Sequence, residues 1–194
     1  CSVAGIGDLD GDGVADLAVG AFRDDTGGSN RGTVYVLFMN ADGTVKTSTK
    51  IASDTGGGPT LANNDGFGYS VAGIGDLDGN GVADLAVGAR GDDTDGSSRG
   101  AVYLLLLNTD GTVKSSTKIA NDTGGGPTLA NGDVFGFFVA GIGDLDGDGV
   151  ADLAVGAFRD DTGGRDRGAV HVLLLNSDGR SEEHTSELQS HLNL

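Results

Sequence analysis

Asp76-Leu77-Asp78-Gly79-Asn80-Gly81-Val82-Ala83-Asp84 carries an acidic or amide side chain at its first, third, fifth and ninth positions. Matching strings run Asp8-Leu9-Asp10-Gly11-Asp12-Gly13-Val14-Ala15-Asp16 and Asp144-Leu145-Asp146-Gly147-Asp148-Gly149-Val150-Ala151-Asp152. The leading Asp advances from 8 to 76 to 144, a period of 68, so an entire structural unit is copied and not merely a motif.

Alternate oxygen-bearing side chains in a tight turn deliver hard ligands to one point, which is what a calcium-sized cation takes, with roughly six to eight oxygens at about 2.3 to 2.6 Å. The expected ligands are Asp8, Asp10, Asp12 and Asp16 with the Val14 carbonyl, then Asp76, Asp78, Asn80 and Asp84 with Val82, then Asp144, Asp146, Asp148 and Asp152 with Val150. Up to three Ca2+ ions are therefore expected, one per loop. Gly11 and Gly13 suit a chain that must wrap around an ion, because glycine enters left-handed backbone angles without steric cost. Asn80 keeps a carbonyl oxygen but drops a charge, so the second loop should bind more weakly. Carboxylates several Å apart repel by about 3 kcal/mol per pair at an effective dielectric of ~20, so a folded loop without a cation is not expected.

Two rivals are weaker. Magnesium demands a stricter octahedron and keeps its waters. An EF-hand opens on the same Asp-x-Asp-x-Asp-Gly pattern but needs a bidentate Glu at its twelfth position, where this chain has Val19, Val87 and Val155. The Leu-Ala-Val-Gly-Ala run after each loop also lacks a helical period.

Composition agrees with an all-β reading. The 194 residues include 37 Gly, 2 Pro and only 5% aromatics, the signature of a turn-dense β protein. A formal charge of −17 excludes nucleic acid and anionic membrane surfaces as partners. Eleven of the acidic residues fall on the expected metal positions, so bound cations would offset much of that charge. Cys1 is the single cysteine and rules out an intrachain disulfide framework. The repeat aligns it with Tyr69 and Phe137, inside the unit, so the chain is expected to be a fragment and Cys1 not a lipidated terminus. No signal peptide or membrane span is visible, and direct membrane insertion is not expected.

The unit reads as four strands. Phe67 to Ile74 is an apolar first strand feeding the acidic loop, and Leu85 to Ala89 is a second whose small residues would let another sheet approach closely. Gly100 to Leu107 is a third, apolar enough to be buried on both faces. The Asp110-Gly111 turn leads to a fourth, Thr112 to Ile119, with Lys114 and Lys118 on one face. Four short antiparallel strands ending in a polar edge describe one blade of a β-propeller. A flat sandwich is the alternative, and regular repetition favours radial stacking. The expected architecture is a partial propeller of about three four-stranded blades, with calcium loops between first and second strands. Its units span 1–64 (lacking its N-terminal part), 65–132 and 133–179 (truncated).

Phe67-Gly68, the acidic loop, Val87-Gly88-Ala89 and Gly100-Ala101-Val102-Tyr103 together resemble the FG-GAP repeat of integrin α-subunit propellers and their bacterial relatives. The resemblance runs from residue 1 to 179. One departure is that Phe22, Arg90 and Phe158 stand where the family has Pro. The resemblance implies a calcium-stabilised propeller serving adhesion or protein and glycan recognition, in a secreted or cell-surface protein. It also implies a ring of more blades than three, so an isolated arc should expose apolar blade faces and self-associate.

At Arg180 the sequence abandons the repeat for Arg180-Ser-Glu-Glu-His-Thr-Ser-Glu-Leu-Gln-Ser-His191, which resembles the translation of a sequencing adaptor. Residues 180–194 are thus expected to be a non-native tail; a short amphipathic helix is the alternative. Of three histidines, His184 and His191 lie in that tail, and His171 aligns with Tyr35 and Tyr103, so it replaces a packing aromatic. No nucleophile and base pair is evident, and the segment is read as non-enzymatic. The alternative from another class is an accessory region of a secreted hydrolase whose catalytic domain lies elsewhere. Loops Asp24 to Arg31, Asp92 to Arg99 and Asp160 to Arg167 are candidate recognition loops for an unknown protein or glycan ligand.

Overall fold

A computed structural model describes residues 1–182 and 186–188, and these form three four-stranded antiparallel sheets. The first contains β1 (Ser2–Gly7), β2 (Asp16–Ala21), β3 (Thr33–Met39) and β4 (Val45–Ala52). The second contains β5 (Phe67–Gly75), β6 (Asp84–Ala89), β7 (Ala101–Leu107) and β8 (Val113–Ile119). The third contains β9 (Phe135–Gly143), β10 (Asp152–Ala157), β11 (Ala169–Leu173) and β12 (Ser186–Leu188). Each sheet is an up-and-down meander in chain order, as blades require.

The blades stack face to face. Ile6, Leu9, Val34, Val36 and Phe38 of the first blade meet Phe67, Val87, Tyr103 and Leu105 of the second. The opposite face of the second blade, with Ile74, Leu77, Val102 and Leu104, meets Phe135, Val155, Leu173 and Leu175 of the third. A middle blade must therefore be apolar on both sides, and β6 is buried at all six positions.

This packing explains the glycines of the repeat. A Cβ on Gly20 would strike the carbonyl of Gly68 in the next blade, and one on Gly88 would strike that of Gly136. Gly68 and Gly136 hold φ of 82° and 80°, turning the chain so that its backbone can lie against the preceding β2-type strand. Other links repeat with the same period. Ser2 Oγ accepts the Val71 N–H at 3.1 Å and Ser70 Oγ accepts that of Val139 at 3.1 Å. Phe67 N–H donates to the Arg31 carbonyl and Phe135 N–H to that of Arg99. The Asp110-Gly111 turn packs on Val36, Phe38 and Thr49 of the first blade, and Thr49 Oγ1 donates to the Asp110 carbonyl at 2.6 Å.

The structure departs from the sequence expectation at the end of the third blade. Ser181 N–H donates to the Gly124 carbonyl at 3.0 Å, as Val113 N–H does to Gly56 at 2.9 Å, although no side-chain pattern carries the repeat there. Residues 186–188 then pair with β11 as a fourth strand, so the third sheet is not cut short at residue 179. Its register differs by one: Lys118 stands opposite Tyr103, whereas Glu187, not residue 186, stands opposite His171. Backbone hydrogen bonding can extend a sheet without a matching side-chain pattern. The amphipathic-helix alternative is replaced by a strand over 186–188; His184 and His191 lie outside the described residues.

Candidate metal centres

Each acidic loop sits in the β1–β2, β5–β6 or β9–β10 connection, at one end of its blade. Asp8, Asp10 and Asp16 bring ligand atoms within 4.8 Å of one another, as do Asp76, Asp78 and Asp84, and Asp144, Asp146 and Asp152.

Hydrogen bonds within the loop aim these carboxylates. Asp8 Oδ1 accepts the N–H groups of Gly11 and Asp12 at 2.8 and 3.0 Å, and Oδ2 accepts that of Gly13 at 2.8 Å. Gly11 and Gly13 reach this wrap at φ 78° and 88°, as expected of glycine here. The fifth-position residues Asp12, Asn80 and Asp148 accept the N–H of Val14, Val82 and Val150 at 2.9, 2.7 and 2.7 Å. Asp12 and Asp148 stand outside the converging groups, while the seventh-position valines close the turn as donors.

The ninth-position carboxylates have a second task that spacing alone did not reveal. Asp16, Asp84 and Asp152 are buried, and each accepts one N–H from its own loop and one from the end of the third strand or just beyond it. The partners are Leu9 and Met39, Leu77 and Leu107, and Leu145 and Leu175, all at 2.7 to 2.9 Å. They therefore staple the loop to the sheet as well as facing its interior. Burial pushes the Asp84 carboxyl up to about 6, with Asp78 and Asp76 adding to the rise against the two N–H donors.

Two lysines from the fourth strands also reach the loops. Lys46 Nζ lies 2.9 Å from Asp10 Oδ2 and 2.8 Å from Asp12 Oδ2, and Lys114 Nζ lies 2.6 Å from Asp78 Oδ2. The Lys46 hydrogen bond holds Asp12 below the usual carboxylate range, and Lys114 does the same for Asp78. The donor set of each cluster is entirely hard oxygen, with three carboxylates converging, which fits a calcium-type cation and excludes a soft-metal thiolate or imidazole site.

The loops expected to face a ligand are partly structural. Asp92 is buried, accepts Tyr103 Oη and Thr94 N–H, and pairs with Lys118 Nζ at 2.6 Å. Asp24 holds Thr26 N–H and Lys50 in the same way. Arg31 and Arg99 each donate from Nε to Asn63 and Asn131 at 3.1 Å. Between these anchors, Asp25, Asp93, Asp95 and Asp161 remain exposed. His171 is buried with its ring 5.5 Å from Phe135, matching Tyr103 at 5.6 Å from Phe67, so it is the packing aromatic that alignment implied.

One feature escaped sequence reasoning. Phe22, Tyr69, Phe137 and Phe158 form a chain of ring contacts across all three blades, with centroids 4.8 to 4.9 Å apart. Arg90 lies 4.5 Å over Tyr69 and Arg23 5.4 Å over Phe22, beside a cleft of about 360 Å³. The available signal was the aligned column of Tyr69 and Phe137 together with the Phe22, Arg90 and Phe158 departures.

The FG-GAP repeat family matches residues 2–37, 67–105 and 135–173, one match per blade. The chain belongs to the FG-GAP repeat family. It is 31% identical over 155 residues to integrin alpha-4 of Xenopus laevis, covering 80% of this chain and 14% of that protein. It is 33% identical over 157 residues to integrin alpha-5 of the same species, covering 80% and 14%. Integrin alpha-PS2 of Drosophila melanogaster is 33% identical over 162 residues, covering 79% and 11%. The chain thus spans about a tenth to a seventh of these relatives' length.

Proposed function

We propose that this chain is a calcium-binding propeller segment of a secreted or cell-surface protein serving adhesion or recognition of a protein or glycan. The observation that carries the reading is the convergence of three carboxylates at the same place in all three blades. The proposed ligands are those expected from the sequence, with Val14, Val82 and Val150 contributing carbonyls. Millimolar calcium outside cells matches the ~0.1 to 1 mM affinity of extracellular calcium modules. At 1 mM calcium and a dissociation constant of about 0.1 mM, each site adds roughly 1.4 kcal/mol to stability.

Recognition is assigned to the half-buried aromatic and arginine band and to the exposed acidic loop tips, since rigid aromatics and Arg are the side chains that anchor protein ligands. Alanine at Arg90 or Tyr69 should abolish capture of a ligand while leaving calcium stabilisation intact. The open faces of the first and third blades, marked by exposed Val3 and Val45 and by exposed Ile142, Leu145 and Val170, favour association between copies. Sedimentation velocity should show concentration-dependent oligomers; a sharp monomer boundary at high concentration would contradict this. The reading as a whole is tested by unfolding with calcium, magnesium or chelator, for the native chain and for Asp10→Ala and Asp78→Ala.

A further inference from the structure

The three acidic loops are near-copies, but their surroundings are not. Lys46 and Lys114 are each the second residue of a fourth strand, β4 and β8, and reach from there across to the neighbouring loop. Lys46 spans two carboxylates of the first loop, and Lys114 holds one carboxylate of the second. The 68-residue period places Glu182 at the corresponding position of the third blade. Among the described residues no lysine or arginine pairs with Asp144, Asp146 or Asp148, and Glu182 is exposed with its N–H held by the Leu174 carbonyl.

Asp10 and Asp78 each belong to the three carboxylates that converge in their loop. An ammonium on such an oxygen occupies a lone pair and neutralises a charge that a divalent cation would use. Counting the four ligand side chains and the lysine, the formal charge is −3 in the first loop, −2 in the second with Asn80, and −4 in the third. Both lysines are part-exposed on flexible four-carbon stems, so they can swing into water without moving the strand.

We infer that Lys46 and Lys114 are built-in counter-cations that compete with the divalent ion for the first and second loops, leaving the third loop as the tightest site. The inference rests on the calcium reading above. As calcium rises, the loops fill in the order third, first, second. Each ion entering the first or second loop releases its lysine. Because the pairs are part-exposed and screened, the handicap is modest, about two- to fivefold in affinity per lysine.

The test is a calcium titration of the full chain followed by NMR at the Gly13, Gly81 and Gly149 amides. Gly13, Gly81 and Gly149 donate to Asp8, Asp76 and Asp144 and so report one loop each. Lys46→Gln should tighten the first loop two- to fivefold and leave the third unchanged. Lys114→Gln should do the same for the second loop, Lys46→Arg should stay near the native value, and Glu182→Lys should weaken the third loop. Lysine Nζ signals of Lys46 and Lys114 should move during the titration as the ammonium groups are released. Calcium binding with affinities indifferent to Lys46→Gln, Lys114→Gln and Glu182→Lys would overturn the inference while sparing the calcium reading. Amides that ignore calcium in every variant would overturn both.

Discussion

The strand Asp-Leu-Ala-Val-Gly-Ala is spelled identically in all three blades, yet its environment in the middle blade differs from that at the ends. In β6 every residue is buried, whereas in β2 burial alternates. The opposite blade face tells the same story: Ile74 and Leu77 are 3% and 4% exposed, and their third-blade counterparts Ile142 and Leu145 are 40% and 62% exposed. Identical sequence therefore buys different burial according to what lies beside it. A repeat unit is written to be sandwiched, so the energy of its apolar residues resides in the interface between blades.

The sharpest way to break this comparison is a matched pair of truncations. Leu77→Ala removes a side chain buried between two blades and should cost about 2 to 5 kcal/mol. Leu145→Ala at the open face should cost under about 1 kcal/mol. Urea midpoints at constant slope measure both; equal losses would mean that the open face is covered in solution.

A titrating pair gives the next effect. Asp65 and Asp133 occupy one position in successive blades, and both carboxyls are raised by burial. Asp65 reaches about 6 from an ordinary 3.8, with Asp92 and Asp93 adding to the rise. The folded chain then keeps a proton that the unfolded chain has released, so stability falls as pH climbs from about 4 to about 6. The full span is worth up to about 3 kcal/mol. Asp65→Asn should flatten that stretch of the stability profile more than Asp133→Asn, because burial raises Asp65 the more strongly while the neighbouring charges match: two carboxylates add to each rise, and Lys118 or His171 opposes it. Equal flattening would show that the two positions are desolvated to the same degree in solution.

A smaller contrast concerns the glycines. Gly88→Ala drives a Cβ into the Gly136 backbone and should cost about 1 to 3 kcal/mol. Gly156, its third-blade equivalent, meets nothing nearer than Phe138 Cβ at 3.6 Å, an ordinary van der Waals contact, so Gly156→Ala should stay within about 0.5 kcal/mol. Thermal or urea unfolding of both variants decides it.

Much of this was legible in the chain. Period and acidic spacing located the strands, and the small residues of Leu85 to Ala89 announced a close approach. The approaching group proved to be the Gly136 backbone, as Gly68 is for the equivalent strand of the first blade. Contacts between residues distant in sequence were not legible. Lys46 is 34 and 36 residues from Asp12 and Asp10, and no local pattern links them. Nor does the acidic spacing announce the N–H donors and lysines that meet the loop carboxylates. The fourth strand at 186–188 was hidden for the opposite reason, because edge pairing through backbone groups needs no side-chain signature.

Calcium dependence of unfolding tests the central claim most directly. With three sites each adding roughly 1.4 kcal/mol, moving from chelator to 1 mM calcium should raise the melting temperature by about 10 °C. Asp10→Ala and Asp78→Ala should each lose about a third of that gain, and magnesium should reproduce little of it. A melting temperature indifferent to chelator, calcium and both substitutions would contradict the account.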